Sequence, residues 1–190
     1  MSIWSIKKPE VVVGNVREAI LADAGAIAEI HVAAWQETYR GLLPSGLLDS
    51  LKPSEKLGLW HEVLSLAADR DDLVVCVAEM GGECVGFASM RPQPDGGLRA
   101  AGYGAEVSAL YALKQAQGRG IGRELMRWLA VRMGAAGLDG AALWVLESNK
   151  GARGFYEALG GVPVAERLEK RGGAEVRAVA YGWRDLSLLI

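Results

Sequence analysis

The feature that most constrains this chain is a strand-like run that leads into a glycine-spaced helix start. The run from Val107 to Leu113 is mostly apolar and ends in a short polar turn. The segment Gln117-x-x-Gly120-x-Gly122 follows and opens a helix. Glycines let a ligand approach the backbone closely, and the first N–H groups of a helix have no partner within it. This helix start is therefore predicted to bind an anion such as a phosphate.

The charges in the first turn of this helix support the same interpretation. Arg119 and Arg123 lie there, no Ser, Thr, Asp or Asn is present to cap the helix, and the first acidic residue is Glu124. Cations are unfavourable at the positive end of a helix dipole. An anionic ligand would offset that cost, which favours a ligand site over a helix start that binds nothing. A solvated helix face is the alternative role for Arg123.

Two other phosphate-binding patterns fit this segment less well. A dinucleotide fingerprint, Gly-x-Gly-x-x-Gly, would need a third glycine where Arg123 stands, together with repeated βαβ units. A nucleotide P-loop would need Gly-Lys followed by Ser or Thr, which the segment lacks. The glycine segment is therefore predicted to hold its anion in another fold.

The segment Gln117 to Gly122, placed after a strand, resembles the pyrophosphate-binding signature of the GNAT superfamily of N-acetyltransferases. A second motif, Asn149-x-x-Ala152-x-x-Phe155-Tyr156, resembles the later cofactor-side helix of that family, and Val16 to Gly41 resembles its first strand and helices. The resemblance covers nearly the whole chain. It implies the GNAT fold, acetyl-CoA as acetyl donor, and an amine on a small molecule or peptide as acceptor.

The resemblance also assigns the residues that would hold the cofactor. The end of the strand would pair with the pantetheine arm through backbone hydrogen bonds, as a peptide-like ligand pairs with an open strand edge. The glycine segment would hold the pyrophosphate, and the second motif would contact the cofactor arm. The assigned residues are Leu110, Tyr111, Ala112, Gln117, Gly118, Arg119, Gly120, Ile121, Gly122, Arg123, Asn149, Ala152 and Phe155. Asn149 is also expected to cap its helix.

Tyr156 is the predicted general acid, because the resemblance places the family's acid at this position of the second motif. A phenol near the thioester sulfur can protonate the thiolate as it leaves. An ordinary buried tyrosine is the alternative role for this residue.

Glu106 is the predicted base, since the attacking amine must lose a proton. It lies at the start of the central strand, beside the place where an acceptor would approach. Some family members carry a glutamate in the strand before the asparagine motif, but Trp144 holds that position here and Glu147 is out of register. An exposed strand-end charge is the alternative role for Glu106, and deprotonation in bulk solvent is the alternative route.

Trp35 and Tyr39 are the predicted acceptor-binding residues. They lie with Trp60 in the first two helices, where the resemblance places the acceptor pocket, and aromatic rings can contact a cationic amine. Core packing is their alternative role. His31 and His61 share no ligand spacing, so neither receives a role and no metal site is predicted.

Patterning predicts the element order β-α-α-β-β-β-α-β-α-β-β and hence the fold class α/β in the mixed α+β sense, with a central mixed sheet flanked by helices on both faces. A first strand is expected at Val11 to Ala19, followed by a helix capped by Asp23. The Pro/Gly-rich segment Arg91 to Gly104 is expected to be a loop. The apolar segment Val176 to Ile190 is expected to be buried in its own sheet or in a partner, and we favour a homodimer.

Composition sets the remaining expectations. A chain of 190 residues can form one domain with a sizeable core, so a single domain over residues 1–190 is expected. The net charge of −2 argues against nucleic-acid binding. No apolar run reaches the length of a membrane span or resembles a signal peptide, which predicts a cytoplasmic protein without membrane contact. Cys76 and Cys84 are expected to be reduced.

The predicted activity is transfer of an acetyl group from acetyl-CoA to a primary amine in a ternary complex. Direct transfer is favoured because neither Cys76 nor Cys84 has a base partner visible in the sequence. The alternative is a non-catalytic acyl-CoA-binding sensor on the same fold.

Overall fold

The computed structural model describes residues 15–190, which form a seven-stranded mixed β-sheet. The strands are β1 (Asn15–Glu18), β2 (Val74–Met80), β3 (Glu83–Pro92), β4 (Ala105–Ala112), β5 (Ala141–Leu146), β6 (Val162–Arg171) and β7 (Ala174–Trp183). Their order in the sheet is β1-β2-β3-β4-β5-β7-β6. All neighbouring pairs are antiparallel except β4 and β5, which are parallel. The predicted mixed sheet is therefore confirmed.

Helices cover both faces of this sheet. They are α1 (Ala24–Tyr39), α2 (Ser45–Ser50), α3 (Pro53–Ala67), α4 (Gly96–Ala100), α5 (Ile121–Ala135) and α6 (Lys150–Ala158). Short 3₁₀ turns occupy Leu21–Asp23, Lys114–Ala116 and Leu186–Leu189. In the part of the chain that the structure describes, no helix is long and apolar enough to cross a membrane.

The alternation of side chains along the strands divides the core into two main layers. Val75 and Val77 of β2 pack with α1 and α3 on one face, whereas Cys76 packs with α5 on the other. Cys84 borders the first of these layers, so the two thiols lie on opposite faces of the sheet, and both are free. Opposite faces place these sulfur atoms out of reach of one another.

Two short helices were not anticipated from the sequence. α2 follows the predicted helix break, and α4 lies within the segment Arg91 to Gly104 that was expected to be a loop. Asp95 caps α4, because its Oδ1 accepts the N–H groups of Gly97 and Leu98 at 2.9 and 3.1 Å. Glycine has a low helix propensity, so the glycines of this segment favoured a loop over a helix in the prediction.

Asp23 does not cap α1 with its side chain, which corrects the prediction. The 3₁₀ turn begins the helical path earlier, so the Asp23 carboxylate accepts the N–H of Ile20 at 2.8 Å and binds Arg17 at 2.7 Å. The residues 11–14 of the expected first strand lie outside the described part of the chain, whereas Asn15–Glu18 pairs with β2 as expected.

The apolar C-terminal segment is largely buried in its own fold. β7 lies between β5 and β6, and Tyr181, Trp183 and Leu189 are buried in the core. Leu188 and Ile190 are 56% and 65% exposed. Burial in its own sheet is therefore confirmed for most of this segment, and the homodimer stays a prediction.

A β-bulge in β4 changes the direction of its side chains. Ser89 pairs with Ala109 and Met90 pairs with Val107, so Ser108 is an extra residue in β4. Before the bulge, Val107 packs on the α5 layer, and after it Ala109 packs on the α1–α3 layer. The bulge also lies where β4 begins to separate from β5.

Candidate active site

The sheet is open between β4 and β5. These parallel strands pair only at Ala105 with Ala141 and at Glu106 with Ala142, and then diverge. Beyond Glu106, the edge of β4 that faces β5 has no neighbouring strand. Main-chain N–H and C=O groups on such an edge are available to a ligand with peptide-like polarity.

The hydrogen bonds around β4 show which residues face this gap. The N–H of Leu113 donates to the Val85 carbonyl of the β3 side at 2.9 Å. By alternation, the main-chain groups of Tyr111 point to β3, and those of Leu110 and Ala112 point to the gap. Main-chain groups of Leu110 and Ala112 therefore face the gap, and their pairing with a pantetheine arm stays a prediction. Those of Tyr111 do not face the gap, because they are used within the sheet.

The glycine segment forms the start of α5. Gly118 and Gly120 have φ angles of 71° and 85°, in the left-handed region that favours glycine. Gly120 occupies the N-cap position without a side-chain cap, so α5 begins at Ile121, and Arg119 precedes the first turn in which it was expected. The N–H groups of the first turn are consequently available to an anion.

The positive charges at the start of α5 are not neutralised by nearby carboxylates of the described residues, which favours binding of an anion. Arg119 and Arg123 are exposed, and neither has a carboxylate within 4 Å among residues 15–190. Glu124 binds Arg127 at 3.1 Å and so does not neutralise Arg123. Ile121 is buried in the core, which limits its predicted contact with a ligand to its main-chain N–H.

A cavity of about 500 Å³ lies between β4, β5 and the starts of α5 and α6. Its lining brings together most of the predicted cofactor-binding residues: Leu110, Tyr111, Ala112, Gln117, Gly118, Gly122, Asn149, Ala152 and Phe155. Arg119, Gly120, Ile121 and Arg123 are not in its lining and belong to the adjoining helix start. We call this space the donor cavity.

Three local contacts shape the donor cavity. Gln117 donates from Nε2 to the Ala112 carbonyl at 3.0 Å, and Asn149 caps α6 by accepting the Ala152 N–H at 3.1 Å, which confirms the expected cap. A Cβ atom at Gly122 would lie 3.0 Å from Cζ of Phe155. Gly122 therefore permits the close approach of α5 to α6.

Tyr156 lies in the wall of the donor cavity and is buried. Its ring packs against Phe155 and Trp183 at centroid distances of 5.4 and 6.0 Å. Burial, and then the nearby Tyr111 phenol, raise the pKa of Tyr156 above its usual range. A tyrosine is protonated at neutral pH even at its ordinary pKa of about 10, so the raised pKa leaves the phenol in the form that can donate a proton.

A second cavity of about 730 Å³ opens on the α1–α3 side of β4. Trp35, Tyr39, Trp60 and Trp144 are in its lining. Trp35 donates from Nε1 to the Tyr111 hydroxyl at 3.0 Å and packs edge-on against Tyr39 at 5.2 Å. The structure thus places both predicted acceptor-binding residues in this space, which we call the acceptor cavity.

The two cavities meet at the bulged part of β4. Residues 107–109 line both of them, as do Tyr39, Tyr111, Trp144 and Val145. The two cavities therefore adjoin one another beside the bulge.

Glu106 lies in the lining of the acceptor cavity but not in that of the donor cavity. Its side chain is 12% exposed, and its Oε2 binds Nε of Arg91 at 2.6 Å. This ion pair was not anticipated, because Arg91 belongs to β3 and approaches only through the pairing of β3 with β4.

Several residues of the acceptor cavity received no role from the sequence, among them His31, Trp144 and Arg171. His31 and Trp144 carried a weak indication, since each is an aromatic side chain within a helix or strand next to the motifs. Arg171 carried none, because its position is set by the pairing of β6 with β7 at the edge of the sheet.

Solved structures of N-acetyltransferases share this architecture. The PaiA N-acetyltransferase of Thermoplasma acidophilum, in complex with coenzyme A, is 18% identical with a TM-score of 0.67, over 87% of this chain and 96% of that one. YncA of Salmonella typhimurium, with its cofactor acetyl-CoA, is 22% identical with a TM-score of 0.67, over 90% and 93%. These likenesses confirm the predicted fold.

The family follows from two further comparisons. Residues 47–161 match the model of the acetyltransferase (GNAT) family. An uncharacterized N-acetyltransferase of Bacillus subtilis (strain 168) is 34% identical over 177 residues, which cover 92% of this chain and 95% of that protein. The chain belongs to the GNAT family and is an N-acetyltransferase, as the resemblance of its two motifs implied.

Proposed function

We propose that this enzyme transfers an acetyl group from acetyl-CoA to a primary amine by direct attack in a ternary complex. The observation that supports this proposal is the meeting of the donor and acceptor cavities along residues 107–109. The two cavities offer different groups to a ligand. The donor cavity has an open strand edge and the uncapped start of a helix, whereas the acceptor cavity has aromatic rings. Donor and acceptor can therefore be bound at the same time, with their reacting groups in contact.

The residues of the donor cavity fit acetyl-CoA. Leu110 and Ala112 offer main-chain groups to the amides of a pantetheine arm, and the first turn of α5 offers N–H groups to a pyrophosphate. Arg119 and Arg123 lie beside that turn. Bound acetyl-CoA would supply an activated acetyl thioester at the end of the gap.

Tyr156 is the proposed general acid in this reaction. Its phenol lies in the donor cavity wall, and burial keeps it protonated at neutral pH. In the proposed step, Tyr156 donates its proton to the departing sulfur, which prevents a thiolate from accumulating in a low-polarity site. It regains a proton from solvent after the product leaves.

Glu106 is the proposed base and acts through an ordered water. Arg91 binds its Oε2, so the proposed water contacts Oε1. In this role Glu106 takes the proton that the amine must lose before or during attack. The carboxylate also attracts an ammonium group to the acceptor cavity.

Direct transfer is supported by the environment of the two thiols. Cys76 is buried, and burial raises the pKa of its thiol to about 12. Burial also raises the pKa of Cys84. Neither sulfur lines the donor or the acceptor cavity, so neither is placed to carry an acetyl group.

The test combines binding with turnover. Calorimetry measures the affinity for acetyl-CoA, and release of free thiol measures turnover with a panel of primary amines. The proposal expects both, with initial-rate plots that intersect as in a ternary complex. Tight binding without thiol release for any amine would indicate the acyl-CoA sensor instead, and parallel rate plots would indicate a covalent acetyl-enzyme.

A further inference from the structure

The wall of the acceptor cavity formed by β6 carries an excess of positive charge. Arg167 and Arg171 both bind the same carboxylate, with Arg167 Nη2 at 2.9 Å from Oε2 of Glu169 and Arg171 Nε at 2.8 Å from Oε1. All three residues line the cavity. One carboxylate between two guanidinium groups leaves one positive charge without a counter-charge.

The other charges around the cavity do not cancel this excess. Glu106 is bound by Arg91 at 2.6 Å, and Arg70 by Asp72 at 2.8 Å. Lys56 lies 5.9 Å above the ring of Trp35, and within residues 15–190 it has no carboxylate within 4 Å. The β6 wall of the cavity therefore attracts a negative group of a ligand, whereas Glu106 lies on the β4 side.

His31 adds a fixed hydrogen-bond donor to the same space. Its Nδ1 accepts from Nε1 of Trp60 at 3.1 Å, and an indole nitrogen only donates. The neutral imidazole must therefore carry its proton on Nε2. Burial and the charge of Lys56 lower the pKa of His31 to about 4, so the ring is neutral at neutral pH.

The Nε2–H group of His31 has no protein partner in the described part of the chain. Every fully buried side-chain nitrogen or oxygen there has a partner, so Nε2 is not fully buried. His31 lines the acceptor cavity, so this donor is accessible from that space. A donor of this kind binds an oxygen atom of a ligand rather than an ammonium group.

Arg171 and His31 line the same cavity as Tyr111. His31 stacks on the ring of Tyr111 at a centroid distance of 5.3 Å. Both donors are therefore exposed to the same space.

Large apolar side chains form another part of the acceptor cavity wall. They include Trp35, Trp60, Trp144 and Leu43. Trp144 is held in place by Arg167, whose guanidinium carbon lies 4.1 Å from the ring centroid. A ligand that fits this space combines an apolar body with one anionic group.

We propose that the acceptor is an apolar α-amino acid, whose carboxylate is bound by Arg171 with His31 as a second donor and whose side chain packs on the tryptophans. This inference rests on the proposed acetyl transfer, because it places the α-amine toward the joint of the two cavities. It makes Arg171 a determinant of acceptor specificity rather than a catalytic residue.

The first experiment compares L-leucine with L-leucinamide, which keeps the amine and the side chain but lacks the carboxylate. We expect kcat/KM for leucine to exceed that for the amide by at least about tenfold, as for loss of a hydrogen bond to a charged group. The amine of leucinamide is less basic than that of leucine, so a larger fraction of it is neutral and able to attack. This difference favours leucinamide, so a preference for leucine cannot be caused by it.

Substitutions of Arg171 test whether this residue causes the preference for the carboxylate. Arg171→Gln should raise KM for leucine by about tenfold and leave KM for leucinamide unchanged. Arg171→Lys should keep part of the preference, because it keeps the charge. Arg177→Gln is the matched control, since Arg177 lies on the same hairpin, is paired with Glu166 at 3.1 Å, and is outside the cavity lining.

A binding measurement separates this inference from the proposed reaction. Fluorescence of the cavity tryptophans is titrated with N-acetyl-L-leucine and with N-acetyl-L-leucinamide, without cofactor. We expect tighter binding of the carboxylate, and loss of that preference in Arg171→Gln. Equal or tighter binding of the amide, or equal or faster turnover of leucinamide, would overturn the inference while acetyl transfer to amines stands. Absence of acetyl-CoA binding would reject the proposed reaction, and the titration would still decide the carboxylate site.

Discussion

Trp60 donates a 3.1 Å hydrogen bond from its indole nitrogen to Nδ1 of His31, and this bond fixes the tautomer of a buried histidine in the acceptor cavity. Protonation of His31 would place a second proton at Nδ1, where it would meet the Trp60 N–H. The ring would also become charged within a cluster formed by Trp35, Phe87 and Tyr111. The folded protein therefore disfavours the imidazolium form.

This relationship predicts a loss of stability in weak acid. The pKa of His31 is lowered from 6.5 to about 4 on folding, so between these values the unfolded chain binds more protons than the folded one. The stabilisation is complete above about pH 6.5 and is lost as the pH falls toward about 4. We expect the free energy of unfolding to fall by about 1–2 kcal/mol between pH 7 and pH 5.

Urea unfolding at the two pH values measures this effect. His31→Gln should weaken the pH dependence, and His61→Gln, at an exposed position of α3, is the matched control. An identical pH dependence in the wild type and in His31→Gln would show that other groups cause it.

The second prediction concerns Tyr156. Tyr156→Phe is expected to lower kcat by about 10²-fold, the range for loss of a proton-transfer group, with acetyl-CoA affinity unchanged. Tyr103→Phe serves as control, because Tyr103 is also buried but lines neither cavity. Wild-type turnover together with weakened cofactor binding would instead make Tyr156 a packing residue.

The third prediction concerns the start of α5. Gly120→Glu is expected to abolish acetyl-CoA binding, because it places a carboxylate where the pyrophosphate would bind. The substituted residue must adopt a φ of 85°, which costs about 1–3 kcal/mol of stability. Calorimetry measures the binding, and thermal unfolding shows that the variant remains folded.

Gly137→Glu supplies the matched control for backbone strain. Gly137 follows the other end of α5 with a φ of 69°, and a Cβ atom at either glycine meets open space. We expect a similar loss of stability and normal acetyl-CoA binding. Unchanged affinity in folded Gly120→Glu would place the pyrophosphate elsewhere.

The fourth prediction concerns assembly. β6 is an edge strand of the sheet, with Leu168 61% exposed, and Leu188 and Ile190 leave further apolar surface at the C-terminus. We expect a homodimer at micromolar concentration by light scattering. Leu168→Lys should shift the mass toward the monomer without loss of stability, whereas a monomeric wild type across this range would reject the prediction.

The parts of the site that could be predicted are local in sequence. The glycine segment fixes the start of α5 through residues that are consecutive in the chain, and Asn149 caps a helix that begins at the next residue. The backbone geometry of a helix start depends on residues that are close in sequence, so a short motif is enough to predict it. The cofactor side of the site was therefore recognisable before the fold was known.

The acceptor side depends on contacts between distant segments. Arg91 reaches Glu106 through strand pairing, and Arg171 enters the cavity by the folding of a hairpin. The bulge at Ser108 arises from a mismatch between β3 and β4 that neither strand shows alone. Periodicity predicts which face of a sheet a side chain occupies, but not which segment packs over that face. The positions of Arg91, Arg171 and Ser108 in the site could therefore not be assigned from the sequence.

The last prediction concerns the base. An alkylamine is almost wholly protonated near neutral pH, so removal of its proton limits the reaction. If Glu106 takes that proton through water, Glu106→Gln should lower kcat by about 10²-fold and displace the acidic limb of the pH–rate profile. If the carboxylate only attracts the acceptor, the same substitution should raise KM and leave kcat unchanged.

Two features of the structure define the controls for this experiment. Glu106→Gln leaves Arg91 without its partner, so Arg91→Gln is measured in parallel to separate loss of the ion pair from loss of the carboxylate. Glu18→Gln provides a remote carboxylate-to-amide control, since Glu18 of the edge strand β1 is paired with Arg132 at 3.2 Å and lies outside both cavities. We expect Arg91→Gln to keep the acidic limb in place, because the carboxylate remains. If Glu106→Gln retains both kcat and the acidic limb of the wild type, the amine must lose its proton elsewhere, as it would in bulk solvent before binding.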